Sequence, residues 1–260
     1  MTHGTSGSLV WMLSPAENIQ PALPVVVNDS VRLHELVELI EAGLAWVCAN
    51  TSGAPDTSNE LAAVAGISRA VHTVRAAATL CLHGFYTESR VMIRTAYESA
   101  ALARTLAHDR ELADRWLRKS AVVPDRISRD YAKAMSPDAD GDAAHRDFYK
   151  QASMMAHPSA QSTVPYVVPT EGPVAPRTFP TFDAAECKAT MREIVAEAAL
   201  VGYCFRNSFA VCEAVPPAWW RRLAELADDL TGGQLADLQQ DWAERERRHH
   251  DLFPAAPVDD

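Results

Sequence analysis

Three side chains of the types used in acid–base catalysis recur at four-residue intervals in the second half of the chain. Tyr149, Ser153 and His157 would share one face of a helix predicted at residues 142–156, which Pro158 ends. Histidine can transfer protons near neutral pH, so the pattern indicates a catalytic group centred on His157. The alternative is structural: His157 caps the last carbonyls while the two hydroxyls form local hydrogen bonds.

A second polar set lies on the most apolar predicted helix of the chain, residues 84–109. Arg90, Arg94 and Glu98 follow one another at four-residue steps, so Arg94 and Glu98 can pair on one face. Such a narrow stripe is typical of a solvated face with a local ion pair. The alternative is a set of anion-binding groups that lines a cleft between helices.

These two polar sets would form one site if their helices pack side by side. They would then face each other across a cleft closed by the proline-rich stretch at residues 158–181. Arg94, Tyr149 and Ser153 would offer hydrogen-bond donors suited to a phosphate or carboxylate. The ligand expected for this site is an anionic small molecule or RNA.

No sequence motif indicates a metal ion or a cofactor. Residues 136–142 are rich in aspartate but lack the residue order and the closing glutamate of a calcium loop. A di-iron bundle needs two Glu-x-x-His motifs, whereas this chain has one, from Glu246 to His249. Phosphate loops, dinucleotide fingerprints and nucleophile elbows are also missing from the sequence. We therefore expect neither metal nor cofactor.

The net charge indicates which classes of partner are disfavoured, and the cysteines indicate the cellular compartment. The formal net charge of −10 disfavours non-specific binding to nucleic acid or to an anionic membrane. The five cysteines are odd in number and form no Cys-x-x-Cys pair, which is typical of free thiols in a reducing compartment. No segment reads as a signal peptide or a membrane span. We expect a cytoplasmic protein with no membrane partner.

Helical periodicity predicts an all-α protein, a bundle of about five to eight helices with a long proline-rich loop. The expected organisation is an irregular N-terminal arm at 1–28, a helical bundle domain at 29–215, and a C-terminal helical extension and tail at 216–260. Within the loop, residues 164–168 favour a short β-ribbon. The following helix should start at Asp183, a capping residue with glutamate three positions on, and run to about residue 215.

The two polar sets together also carry a family resemblance. The pattern Gly-Phe-Tyr-x-Glu-Ser-Arg-x-x-x-Arg-x-x-x-Glu from Gly84, with the downstream Tyr-x-x-x-Ser-x-x-x-His, resembles a bacterial helical family known as a domain of unknown function. The likeness covers about residues 61–159. That family is distantly similar to HEPN proteins (higher eukaryotes and prokaryotes nucleotide-binding), helical bundles found in toxins and anti-phage systems. Active HEPN ribonucleases carry an Arg-x4-6-His motif, and the match here, Arg245 to His250, lies outside the resembling region.

Two function classes follow from the sequence. The favoured one is an interaction or regulatory module with a protein partner, linked through the resemblance to stress or phage defence. The alternative is an HEPN-like ribonuclease or nucleotide-directed enzyme that uses His157 and Arg94. The apolar segment at residues 9–13 and the pair Trp219 and Trp220 also predict a homodimer, because such groups are costly to expose together. Packing inside the monomer is the alternative role for the tryptophan pair.

Overall fold

The computed structural model describes residues 14–50, 58–119, 150, 154, 167–168, 175–176, 180–208, 215–227 and 230. This part of the chain is nearly all helical, which confirms the predicted all-α bundle. Its elements are a 3₁₀ helix (Ser14–Asn18) and the helices α1 (Ile19–Asn50), α2 (Ser58–Leu82), α3 (Tyr86–His108), α4 (Arg110–Lys119), α5 (Ala184–Ser208) and α6 (Pro217–Ala227). Strands β1 (Val167–Val168) and β2 (Ala175–Pro176) pair antiparallel within the proline-rich stretch.

Helix α3 is the central element, as predicted for residues 84–109, because it packs against both α2 and α5. It follows a tight turn in which Gly84 has a φ of +86°, in the left-handed region that favours glycine. Small buried residues line α3, including Ala96, Ala100 and Ala103. The helix can therefore approach its neighbours closely on more than one side.

Contact between α2 and α3 decides which face of α2 is buried. A Cβ atom added to Gly66 would lie 2.7 Å from the Cβ of Ala103, so the two helices meet at a residue that tolerates no side chain. Helical periodicity places Leu61 on the apolar stripe of this segment and so predicts that it is buried. That prediction is wrong, since Leu61 is 60% exposed. The helices approach most closely where the side chains are smallest, and α2 turns Ala62, Ala63 and Gly66 inward instead.

The N-terminal arm predicted at residues 1–28 is wrong in its second half. Helix α1 already begins at Ile19 and contains Pro24, while residues 1–13 lie outside the described part of the chain. The prolines favoured an irregular segment, yet Ala22 and Val26 are fully buried against the bundle. This tertiary burial outweighs the backbone hydrogen bond that Pro24 cannot donate.

Helix α5 starts where its capping signal predicts. The Oδ1 atom of Asp183 accepts hydrogen bonds from the backbone N–H groups of Ala185, at 2.9 Å, and Glu186, at 3.0 Å. The predicted helix ran to about residue 215, whereas α5 is described to Ser208 and Val215 lies in a bend. Helical periodicity also predicts helices at residues 124–135 and 234–250, and both segments lie outside the described residues.

Helix α6 carries the tryptophan pair into the core. Trp219 packs on Phe205 with ring centroids 5.0 Å apart, and Trp220 meets Tyr203 edge-on at 5.3 Å. Both tryptophans are buried within the monomer. The homodimer prediction therefore loses this support, because the pair forms no exposed patch, and the apolar segment at residues 9–13 lies outside the described residues.

Candidate functional site

Arg90 joins the central helix to α5. Its Nε and Nη2 atoms bind both carboxylate oxygens of Glu193, at 2.8 and 3.1 Å, and its Nη1 binds Glu186 at 2.9 Å. The side chain of Arg90 is 18% exposed. Burial alone would lower the pKa of Arg90, but the hydrogen bonds and charges of Glu193 and then Glu186 raise it above its ordinary value. Arg90 thus acts as an interhelical clamp.

The rest of the predicted anion-binding set forms a local ion pair. Arg94 Nε donates to Glu98 Oε1 at 2.8 Å, as the four-residue spacing predicts. Arg90 thus contacts α5, while Arg94 contacts Glu98 on its own helix. Joint binding of an anion by the three residues stays a prediction. An anion at this place would have to compete with carboxylates already in contact with both guanidinium groups.

The predicted catalytic residues Tyr149, Ser153 and His157 lie outside the described residues. Of the helix expected at 142–156, only Lys150 and Met154 are described, and both are helical. The shared cleft between the two polar sets therefore stays a prediction. So does the match to the HEPN motif, whose residues are likewise undescribed.

Two thiols and a phenol meet where α2, α3 and α5 come together. Cys81 Sγ donates to the carbonyl oxygen of Cys187 at 3.5 Å. Tyr86 Oη donates to the carbonyl oxygen of Asp183 at 3.2 Å and accepts from its N–H at 3.0 Å. Burial raises the pKa of both thiols and raises that of Tyr86 to about 12. These groups are poor nucleophiles at neutral pH and pack the end of the bundle.

Glu197 on α5 is the only fully buried carboxyl group in the described part of the chain. Neither of its oxygens has a hydrogen-bond partner there. Burial raises the pKa of Glu197 well above its ordinary value. Cys204 lies close by: burial raises its thiol pKa, Arg104 lowers it and Glu197 raises it further.

Sequence reasoning passed over Glu197, although a signal was present. Glu197 stands three residues after Ile194 and four before Val201, on the apolar stripe of α5. A single charge inside such a stripe is the mark of a buried ionisable group. No sequence pattern, in contrast, indicated the partners of Arg90, because Glu186 and Glu193 lie about a hundred residues further along the chain.

Helix α1 exposes an apolar face on the side opposite the core. Leu23, Val27 and Val31, spaced by four residues, are 45%, 54% and 53% exposed. Toward the end of the helix the same face continues with exposed small residues, Ala42, Ala45, Cys48 and Ala49. His34 and Glu38 lie between the two halves, with His34 Nε2 3.2 Å from Glu38 Oε1. We call this surface the α1 outer face.

The residues that the structure describes form neither a metal-binding cluster nor a membrane span. No group of three or more His, Cys, Asp or Glu side chains there is arranged to hold a metal ion. None of the helices described combines the length and apolar character needed to cross a membrane. Comparison with family models, curated proteins and solved structures gives no match to this chain.

Proposed function

We propose that the protein is an interaction module that binds a protein partner through the α1 outer face. The observation that carries this proposal is the row of Leu23, Val27 and Val31, each about half exposed on one face of a long helix. An apolar stripe of a helix is normally covered by a neighbouring element. Contiguous exposed apolar surface of this kind marks sites of protein association.

The pairing of the arginines on α3, the buried Cys81 thiol and the net charge favour an interaction role over an enzyme that acts on RNA or nucleotides. Arg90 and Arg94, the predicted anion-binding arginines, both have carboxylates as close partners. The buried thiol of Cys81 has a raised pKa, which suppresses the nucleophilic thiolate. The net charge of −10 also weakens attraction to phosphate backbones. The ribonuclease alternative with His157 has no comparable support from the described residues.

The proposal is tested by affinity purification from the native host with three versions of the full chain. The wild-type protein should co-purify with a defined set of proteins, and Leu23→Glu/Val27→Glu should lose them. Leu61→Glu is the control, because Leu61 is a leucine on another helix that is even more exposed, at 60%, than Leu23 and Val27. Circular dichroism and melting temperature verify that all three versions are folded. Recovery of the same proteins with the double variant would refute the proposal.

A further inference from the structure

We infer that a second copy of this chain binds the α1 outer face, with the two α1 helices packed antiparallel. This inference rests on the proposed use of that face for binding and specifies the partner. Positions 24, 27, 31, 34, 38, 41, 45 and 48 lie on or beside the outer face and alternate steps of three and four. This three–four spacing is the one by which two helices pack along a seam. Its apolar members are Val27, Val31, Ala45 and Cys48, and His34, Glu38 and Glu41 form a polar middle.

When the second helix runs in the opposite direction, the same set of positions on the two copies can face each other. Each position n then lies opposite position 72 − n of the other copy, so the set of eight positions maps onto itself. A two-fold axis would pass near the middle of α1, close to Leu36. Isologous interfaces of this type are the commonest in homo-oligomers.

Side-chain sizes agree with the antiparallel register. Val27 would face Ala45 of the partner subunit, and Leu23 would face Ala49 of the partner subunit. The large apolar residues occupy the first half of the outer face and the small ones the second half. Antiparallel pairing therefore sets large against small at the two ends of the seam, which favours interdigitated packing there. Closer to the middle, the same register places Val31 opposite Glu41 of the partner subunit.

Charge favours an antiparallel direction of the two helices. In the antiparallel register His34 lies opposite Glu38 of the partner subunit, and the symmetry repeats this contact. In a parallel pair each Glu38 would face Glu38 of the partner subunit, and like charges directly opposite each other are destabilising. The two polar positions at the centre of the seam thus favour the antiparallel arrangement.

The size of the seam indicates a reversible dimer. From Pro24 to Cys48 the helix is about 36 Å long at 1.5 Å per residue. A strip ~10 Å wide along that length covers roughly 360 Å² on each copy, below the ~800 Å² per partner of a standard interface. We therefore expect monomers in dilute solution and dimers at higher concentration.

Light scattering and sedimentation velocity across a concentration series of the purified full chain measure this association. The wild-type mass should rise from 28.4 kDa toward twice that value. Val27→Glu should remain monomeric at every concentration, and the control Leu61→Glu should associate as the wild type does. Circular dichroism must show that both variants fold. A wild-type protein that stays monomeric overturns the inference.

Charge reversal tests the direction of pairing. His34→Glu should weaken association, because it places two glutamates opposite each other in each half of the seam. His34→Glu/Glu38→Lys should restore association, since the glutamate introduced on one copy would then meet the lysine introduced on the other. The double variant also keeps a favourable pair within each helix, so the monomer remains stable. A parallel dimer would be weakened by both variants, which would overturn the antiparallel arrangement.

A cross-link tests the register. Pro24→Cys would face Cys48 of the partner subunit, so mild oxidation should give a disulfide-linked dimer on a non-reducing gel. Adding Cys48→Ser should abolish that band. A band that persists in the double variant would contradict the register.

The two failures can be told apart. If the protein is monomeric but Leu23→Glu/Val27→Glu still loses co-purifying proteins, self-association is wrong and the interaction module stands. If Leu23→Glu/Val27→Glu changes neither the association of the purified chain nor the set of co-purifying proteins, both proposals fail.

Discussion

Replacing Glu197 with glutamine should stabilise the protein increasingly as the pH rises. The carboxyl group is fully buried with no hydrogen-bond partner among the described residues, and burial raises its pKa well above the ordinary value of 4.5. In the unfolded chain it ionises near that ordinary value. Between the ordinary pKa and the raised folded-state pKa, the native state therefore binds one more proton than the unfolded state. The free energy of unfolding must fall as the pH rises through this window.

The pH dependence of the free energy of unfolding is set by the one proton that Glu197 binds in the native state and loses on unfolding. The slope contributed by Glu197 approaches about 1.4 kcal/mol per pH unit, which is one pKa unit expressed as free energy. Glutamine has nearly the same shape and cannot ionise, so the variant lacks this slope. Below the window, the protonated acid and the amide each leave an unpaired buried polar group, and the two proteins should agree within about 1 kcal/mol.

Urea unfolding followed by circular dichroism, at steps between about pH 5 and 8, measures the difference directly. The gain from Glu197→Gln should grow with pH until the folded-state pKa is passed. Glu111→Gln on the exposed face of α4 is the control and should show no such growth. A constant difference, or a variant less stable at neutral pH, would mean that the Glu197 carboxylate is ionised and stabilised in the native protein.

Three further results are expected. Arg90→Ala removes three charged hydrogen bonds and should lower the free energy of unfolding in urea by about 2–3 kcal/mol. The control Arg75→Ala breaks a half-exposed ion pair and should lower it by less than about 1 kcal/mol. Equal losses of stability would contradict the role of Arg90 as a clamp between α3 and α5. Gly66→Ala should destabilise by about 1–3 kcal/mol through overpacking against α3, and a higher melting temperature would show that α2 and α3 can separate. In the native protein a maleimide should label exposed Cys48 and leave Cys81 unmodified until urea is added, so equal labelling by mass spectrometry would disprove the burial of Cys81.

The parts of the fold that depend on near neighbours in sequence could be predicted. The cap at Asp183 and the ion pair of Arg94 with Glu98 join residues no more than four positions apart. Their geometry follows from helix periodicity alone. The bounds of α3 were likewise accessible, because Gly84 and Asp109 interrupt an otherwise continuous helical pattern.

The candidate site was less predictable because its contacts join distant parts of the chain. Arg90 was recognised as a polar residue of the central helix, but its partners Glu186 and Glu193 lie on α5. Helical spacing gives the angle at which a side chain leaves its own axis. It does not say which helix stands on that side.

By itself the sequence determined the helical class, most helix bounds and the local ion pair, since each of these depends on residues within a turn or two. The tertiary structure decided which faces are covered. It buried Trp219 and Trp220 within the monomer, enclosed Glu197, and left Leu61 and Val27 in solvent. Several helices here are apolar on more than one side, so periodicity leaves two or more faces equally fit for burial. Close approach of small side chains such as Gly66 selected among them, and that selection needs the neighbouring helix in place.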